Sequence, residues 1–474
     1  MAERILISPV TRIEGHAKIS IYVDDEGRVE TAQFHVVEFR GFEKFCEGRP
    51  FHEMPGLMSR ICGICPVSHI LASSKAGDAI LGVQIPPAAE MQRRLMNHGQ
   101  VLQSHALSFF HLSSPDLMLG MDADPKTRNV FGLAAADEDF ARRGIRLRQF
   151  GQRVIELLGG KRIHPSWGAP GGVLKALTTE ERDEMLAWIP EAYETMEIAI
   201  GKFKSILDNF AEEMRHVGNF PSLYLGTVNE DGYMDFYDGR LRIVDSEGNM
   251  VADGLKPWRY DTFLAEASEE WSFMKLPYYK AMGYPAGMYR VGPLARCNVV
   301  HATGTPLADK ELREFRQRRW VVRNESFLYH LARLIEMLHA VEKIEELLAD
   351  PDILGQHIRG QAGVNNLRGI GSCEAPRGTL FHDYEVDEDG LIRKVNLLIA
   401  TSQNNLAMNR AVEQTARHFV TPGRLSEGML NRVEAAIRCY DPCLSCSTHA
   451  IGHMPFLVEL RNSRGELLDR IRRD

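Results

Sequence analysis

Two Cys-x-x-Cys pairs, Cys62-Gly63-Ile64-Cys65 and Cys443-Leu444-Ser445-Cys446, stand near opposite ends of a 474-residue chain. No other feature constrains the fold as much. Two thiolate pairs can converge into a four-sulfur site for a soft or borderline metal. One pair alone could be a redox dithiol; two favour metal. In zinc ribbons the pairs usually lie about 15 to 20 residues apart, whereas Cys65 and Cys443 are 378 positions apart. The site therefore ties the beginning of the chain to its end, which suits a buried functional centre better than a local staple. The spacing leaves the metal unnamed.

Composition narrows the class. A chain 44% hydrophobic and 25% charged is ordinary globular protein. Its formal charge of −8 argues against nucleic acid as the main partner. No stretch approaches the roughly 18 to 20 apolar residues of a membrane span, and MAERILISPVTRIEGH mixes charge into its apolar residues, unlike a secretory signal. A cytoplasmic location is expected, with the eight cysteines as free thiols or metal ligands.

The pattern predicts a mainly α chain with small antiparallel β-sheets (α+β): a large helical body whose N- and C-terminal segments converge on a buried metal site. HAKISIYVDD and RVETAQFHVVEF flank the turn residues Asp25-Glu26-Gly27 as a hairpin. Helical periodicity follows Pro87 and recurs over roughly 137–158, 180–216 and 308–349. LYLGTVNEDGYMDFYDGRLRIVDSEGNMV reads as a small sheet and TLFHDYEVDEDGLIRKVNLLIAT as a further hairpin. Gly369-Ile370-Gly371 lacks a third glycine at the right offset, so dinucleotide binding by this chain is not expected.

Groups that a reactive metal would need surround the cysteines. His69 follows Cys65 by four, an offset at which an imidazole can hydrogen-bond a ligand sulfur, although a capping or core histidine is an equal reading. Asp441-Pro442 precedes Cys443 on a restricted backbone, its carboxylate able to hold a cation. Glu374-Ala375-Pro376-Arg377-Gly378 would present a guanidinium rigidly, or else form a surface turn. Cys46, Cys297, Cys373 and Cys439 lack paired spacing and read as buried structural thiols.

Together RIEGH (12–16), RGFE (40–43), RICGICPVSH (60–69), EAPRG (374–378) and DPCLSCSTH (441–449) resemble the [NiFe]-hydrogenase large subunit. HVVEFRGFEKF, VLQSHA, GRLRIVD, RVGPLAR and ASEEWSFMK look most like the soluble NAD-reducing type. The resemblance implies that Cys62, Cys65, Cys443 and Cys446 ligate nickel, with Cys65 and Cys446 bridging to an iron that carries cyanide and carbon monoxide. Dihydrogen would be split heterolytically, with a proton on the Cys443 thiolate and Glu14 taking it outward. Arg377 would sit over the open metal position, ordered by Asp116 and Asp441, and His69 would hydrogen-bond the Cys65 sulfur. Glu43 resembles the carboxylate of a magnesium site, with His449 and a carbonyl near Leu398 as partners; imidazole is an unusual ligand for that ion.

The resemblance also implies assembly. With no further cysteine set for iron–sulfur clusters, and no flavin or NAD expected on this chain, electrons would leave through a small iron–sulfur subunit to flavin-bearing diaphorase subunits that reduce NAD. The alternatives are a related hydrogenase coupled to a deazaflavin, NADP or a disulfide, a hydrogen sensor, a non-catalytic relative of the quinone-site kind, and a zinc-stapled structural protein. Residues 1–449 are expected to form one large-subunit domain. Residues 450–474, read as a strand–turn–strand, are expected to be removed by a maturation endopeptidase once nickel-insertion proteins have acted.

Overall fold

In the computed structural model the two ends of the chain meet, as the cysteine spacing requires. The structure describes residues 3–316, 322–421, 425–448, 456–461 and 467–473. Seven helices carry most of the argument: α1 (Pro66–Leu81), α2 (Pro87–Ala106), α3 (Glu138–Gly159), α4 (Ile189–Ile206), α5 (Tyr329–Ala349), α6 (Asn405–Phe419) and α7 (Glu427–Tyr440). Both α1 and α2 open on a proline, whose fixed φ and missing N–H suit the first helical turn. Their buried residues, with those of α5, lie in one large apolar core that also takes in the N-terminal sheet and α7.

Two of the expected long helices are broken. The 180–216 stretch divides into Thr179–Leu186, α4, a 3-10 turn at Leu207–Phe210 and Ala211–His216. Pro190 falls in the first turn of α4 and cannot continue a helix from Leu186. The 308–349 stretch divides into Pro306–Phe315 and α5, and residues 317–321 between them lie outside the described residues. After α2 the chain runs through a seven-residue π-helical segment, Leu107–Ser113, into the short helix Ser114–Leu119. Such wide turns concentrate at functional sites.

The sheets are small. β1 (Glu3–Ile7), β2 (Ala17–Val23) and β3 (Val29–Val36) form an antiparallel meander. The turn between β2 and β3 closes where Asp24 Oδ1 accepts the Glu26 and Arg28 amides at 2.9 and 2.8 Å. The expected sheet excursion is β4 (Leu223–Val228), β5 (Arg240–Val244) and β6 (Met250–Leu255), extended by the two-residue strand Tyr289–Arg290 parallel to β4. The later hairpin has three strands, β7 (Arg368–Ala375), β8 (Gly378–Val386) and β9 (Ile392–Leu398). The tail pairs Phe456–Arg461 antiparallel with Leu467–Arg473 as read from its sequence, while the proposed turn residues Asn462–Gly465 lie outside the described residues.

Gly369 and Gly371 belong to β7, and their role is packing. A Cβ on Gly371 would lie 2.0 Å from the Ala72 carbonyl oxygen of α1, and one on Gly369 2.1 Å from that of Ala76. The glycines let strand and helix backbones touch, which presses α1 onto the sheet that carries Arg377. Among the described residues, no helix is long and apolar enough to cross a membrane.

Candidate metal centre

Four sulfurs converge where three segments meet. Cys62 and Cys65 come from the loop into α1, Cys443 and Cys446 from the turn after α7, and the RIEGH strand lies alongside. All four Sγ atoms lie within 4.8 Å of one another. Cys62 is 3.2 Å from Cys443, Cys65 is 3.4 Å from Cys446, and Cys443 is 2.9 Å from Cys446. Metal–sulfur bonds of about 2.3 Å in a tetrahedron would set sulfurs about 3.8 Å apart. The three closest pairs are a few tenths of an ångström to about 1 Å tighter than that and all four sulfurs lie within 4.8 Å, so the donor set fits a thiolate-loving metal.

Local backbone explains the approach. The Ile64 and Cys65 amides point at Cys62 Sγ, at 3.2 and 3.5 Å. Helix α7 ends on Asp441 in the left-handed region (φ 52), which Asp tolerates better than most residues, and Pro442 prevents continuation. The chain then turns back so that Cys443 bridges Glu14 as a parallel pair, with the Leu444 amide donating to the Glu14 carbonyl at 3.2 Å. Gly15 has φ +86, and a Cβ there would fall 2.6 Å from Leu444 Cβ, so the glycine of RIEGH is required by contact as well as by conformation. Glu14 Oε2 accepts the Ser445 amide at 3.0 Å.

Four crowded thiols resist becoming four thiolates. S–H donors from Cys443, Cys446 and Cys65 hold Cys62 well below the usual thiol range, while burial pushes Cys443 and Cys446 well above it. A bound cation removes that penalty, because thiolates are the metal-ligating form.

Arg377 occupies a hairpin tip. Ala375 pairs with Gly378, so Pro376-Arg377 forms a two-residue turn between β7 and β8. Its Nε donates to the Asp441 carbonyl at 2.5 Å, Nη2 is 3.0 Å from Asp441 Oδ2, and Nη1 donates to Ser104 Oγ at 3.3 Å. Burial works against the charge, but the Asp441 carboxylate and the cysteine sulfurs outweigh it and keep the guanidinium charged. Arg377, Cys65, Cys443 and Cys446 face one small pocket, which His69, Ala375, Leu380, Ile399 and Thr401 complete.

Two expected contacts are corrected. Asp116 does not order Arg377. Its carboxylate is held by Arg12 at 2.5 Å, Arg438 at 2.7 Å and Arg128 at 3.3 Å, where the short helix after the π-helical segment places it. His69 Nε2 lies 3.4 Å from Cys446 Sγ, a sulfur other than the expected Cys65. Helix α1 starts at Pro66, so Cys65 is a cap with φ −118 and ψ 40 and its side chain does not stand in the i, i+4 row. His69 Nδ1 is 3.0 Å from His382 Nε2, whose ring continues to Tyr384 and Ser73.

Glu43 lies on a short helix, Phe42–Phe45, where its Oε1 accepts the Leu397 amide at 2.8 Å and burial pushes its carboxyl up. That places it one residue from Leu398, and a carboxylate with a carbonyl offers the hard oxygens a magnesium ion prefers. His449 lies outside the described residues. Cys46, Cys373 and Cys439 are buried thiols whose pKa burial pushes up to about 12, and burial raises Cys297 as well.

Several supporting residues escaped the sequence reading. Gln100 and Gln103 of α2 both donate to the Ile64 carbonyl, at 2.8 and 2.7 Å, and fasten the first cysteine loop. Arg40 of RGFE donates to the Ile61 carbonyl on that loop and to Ser445 on the other. Arg296, fully buried, binds Glu374 and Glu336 at 2.7 and 2.6 Å and the carbonyls of Ala375 and Pro376 at 3.0 Å, holding the arginine turn from behind. Its motif RVGPLAR was visible as a string, but its partners come from distant elements.

The comparisons with known proteins agree with this geometry. A family described as HoxL-like matches residues 4–39, and one described as nickel-dependent hydrogenase matches residues 40–133 and 206–449. The NAD-reducing hydrogenase HoxS subunit beta of Cupriavidus necator is 42% identical over 99% of this chain and 99% of its own. One subunit of the F420-non-reducing hydrogenase vhu from Methanococcus voltae is 43% identical over 87% of this chain and 98% of its own. A solved NAD+-reducing [NiFe]-hydrogenase in the H2-reduced state superposes with a TM-score of 0.92 at 47% identity, covering 94% of this chain and 99% of that one.

Proposed function

As this chain belongs to the nickel-dependent hydrogenase family, as its catalytic large subunit, we propose how its own residues serve the interconversion of dihydrogen with protons and electrons. The carrying observation is the set of four converging sulfurs beneath the Arg377 guanidinium. A nickel–iron centre held by Cys62, Cys65, Cys443 and Cys446, with cyanide and carbon monoxide on the iron, supplies the Lewis-acid and redox chemistry of heterolytic cleavage. Cys65 and Cys446 would be the two cysteines that also hold the iron. Cys443 Sγ accepts the proton, and Glu14, beside Cys443 in the paired strands, carries it outward. Arg377, aimed by Asp441, offers a fixed positive charge over the sulfurs without trading protons of its own. His69 Nε2 faces the Cys446 sulfur, and Glu43 would hold a magnesium ion, with His449 as its expected partner.

Glu14→Gln keeps the side chain's shape and removes its proton affinity. The variant is expected to retain its nickel and to exchange deuterium gas with solvent protons about a hundredfold more slowly, the scale of a lost acid–base group. Gas-exchange mass spectrometry with nickel analysis checks this; normal exchange would mean the proton leaves by another route.

Electrons pass to a small iron–sulfur subunit, then to flavin-bearing subunits that reduce NAD, in the cytoplasm. Arg60 and Gly63 of the first cysteine loop are exposed, Arg60 lines a groove with Leu57, Trp167 and Leu174, and the iron–sulfur subunit docks there. The near-equal identity to a subunit of an F420-non-reducing hydrogenase keeps a second acceptor class in play. Purification with native partners, followed by nickel, iron and flavin quantification, infrared spectroscopy and NAD-reduction assays, decides between them. NAD reduction by this chain alone would overturn the division of labour.

Maturation is the removal of Ala450–Asp474 by an endopeptidase after nickel insertion. The family match ends at residue 449, and the solved relative, nearly complete in its own length, leaves 6% of this chain uncovered. Intact-mass spectrometry of active enzyme should find a chain ending at His449, and active enzyme that retains Asp474 would refute the maturation step.

A further inference from the structure

Arg12 has φ 55, a conformation that a long L side chain rarely adopts and that its surroundings must enforce. The enforcing groups are all on one side. Arg12 Nη1 donates to the Leu112 carbonyl of the π-helical segment at 2.8 Å, and Nη2 to Asp116 Oδ1 at 2.5 Å and Asn431 Oδ1 at 3.2 Å. Arg438 of α7 closes the cluster, reaching Asp116 Oδ2 at 2.7 Å, Asn431 Oδ1 at 2.9 Å and Glu434 Oε2 at 2.6 Å. Thr11 is fastened beside it, its amide on Glu434 Oε1 at 2.8 Å and its hydroxyl on Glu434 Oε2 at 2.9 Å. Asp116 is 3% exposed, so these charge-assisted bonds act away from water.

Only Ile13 separates this clamp from Glu14. Glu14 has no freedom on its far side either, because Gly15 is pressed on Leu444 and the Glu14 carbonyl and carboxylate take the Leu444 and Ser445 amides. A shift at Arg12 must therefore appear at the Glu14–Cys443 pairing. We propose that Asp116 is a positioning residue for Glu14: with Arg12, Arg438 and Asn431 it fixes the backbone that sets Glu14 against the Cys443 loop. It thus tunes the proton route and leaves the arginine over the sulfurs to Asp441. The inference rests on Glu14 as the proton carrier.

The test uses the assembled holoenzyme. Asp116→Asn keeps shape and removes charge, but it strands buried arginines and so can fail to fold. Arg12→Asn avoids that: Arg12 is partly exposed, Asp116 keeps Arg438 and Arg128, and Asn tolerates the left-handed backbone. With nickel per chain unchanged, Arg12→Asn should make the Leu444 and Ser445 amides exchange with deuterated water about tenfold faster, as expected for a lost bond to a charged group. It should also slow exchange of deuterium gas with solvent protons by about tenfold or more, the scale of a misplaced reacting group. Arg12→Lys should recover part of both. A fully loaded Arg12→Asn enzyme with both readouts normal, while Glu14→Gln is slow, would overturn the clamp alone. Normal gas exchange in Glu14→Gln would overturn the premise and the clamp together.

Discussion

Cys446→Ser is expected to abolish hydrogen uptake and to strip most of the nickel from a chain that remains folded. Cys446 Sγ lies 2.9 Å from Cys443 Sγ, 3.4 Å from Cys65 Sγ and 3.4 Å from His69 Nε2, so it contacts more of the cluster than any one role requires. A serine hydroxyl matches the thiol in shape and can still hydrogen-bond His69, so the fold should stand. It remains protonated near neutrality and is a hard donor where the other three are soft. Altering groups that merely orient a ligand costs about 10- to 100-fold in metal affinity, and replacing a ligand outright should cost more. Nickel analysis beside a thermal melt separates the two effects. A fully loaded, active Cys446→Ser enzyme would remove the four-sulfur assignment; a melted chain would say only that the serine is not tolerated.

The cysteines were legible because their chemistry is written in four residues whose identity alone implies a shared cation. Arg377 was legible for a similar reason, since Pro376 and Gly378 on either side announce a rigid turn, and the structure makes that turn a hairpin tip. Asp116 was not. Its partners Arg12, Arg128 and Arg438 come from a strand-side loop, a surface turn and α7, and nothing local distinguishes that set from a pairing with Arg377. The π-helical segment that aims it differs from an α-helix by hydrogen-bond register, which LSFFHLS does not advertise.

His69 shows a subtler limit. An i, i+4 offset predicts contact only when both residues are inside the helix, and Pro66 at the first helical position leaves Cys65 outside. Gln100 and Gln103 look like the polar side of an amphipathic helix, yet both are buried and hold the Ile64 carbonyl. The third strand of the first sheet, Glu3–Ile7, was missed because its short run has no turn residues of hairpin type to pair it with β2. Long-range pairing of this kind depends on what the core leaves exposed, a property of the whole chain.

Arg377→Lys separates chemistry from assembly and carries the second large effect. Lysine preserves the charge facing Asp441, and with it the electrostatic reason for the hairpin tip to stay buried. It loses the planar fork. In the structure that fork does three things at once: Nε holds the Asp441 carbonyl, Nη2 the Asp441 carboxylate and Nη1 the Ser104 hydroxyl. An ammonium on a flexible stem cannot hold all three directions while still facing the pocket beside Cys65, Cys443 and Cys446. Removing one preorganised donor from a dry active site typically costs about 10²- to 10³-fold in turnover, and the expected loss is of that order with nickel and iron unchanged. Asp441 should then behave differently from Asp116. Asp441→Asn ought to reproduce the loss of turnover, because the guanidinium loses its aim. Asp116 variants ought to act on isotope exchange instead, because their arginines belong to the Glu14 strand. An Arg377→Lys enzyme with full metal and wild-type turnover would show that charge alone is needed over the sulfurs, and the rigid hairpin presentation would then need another explanation.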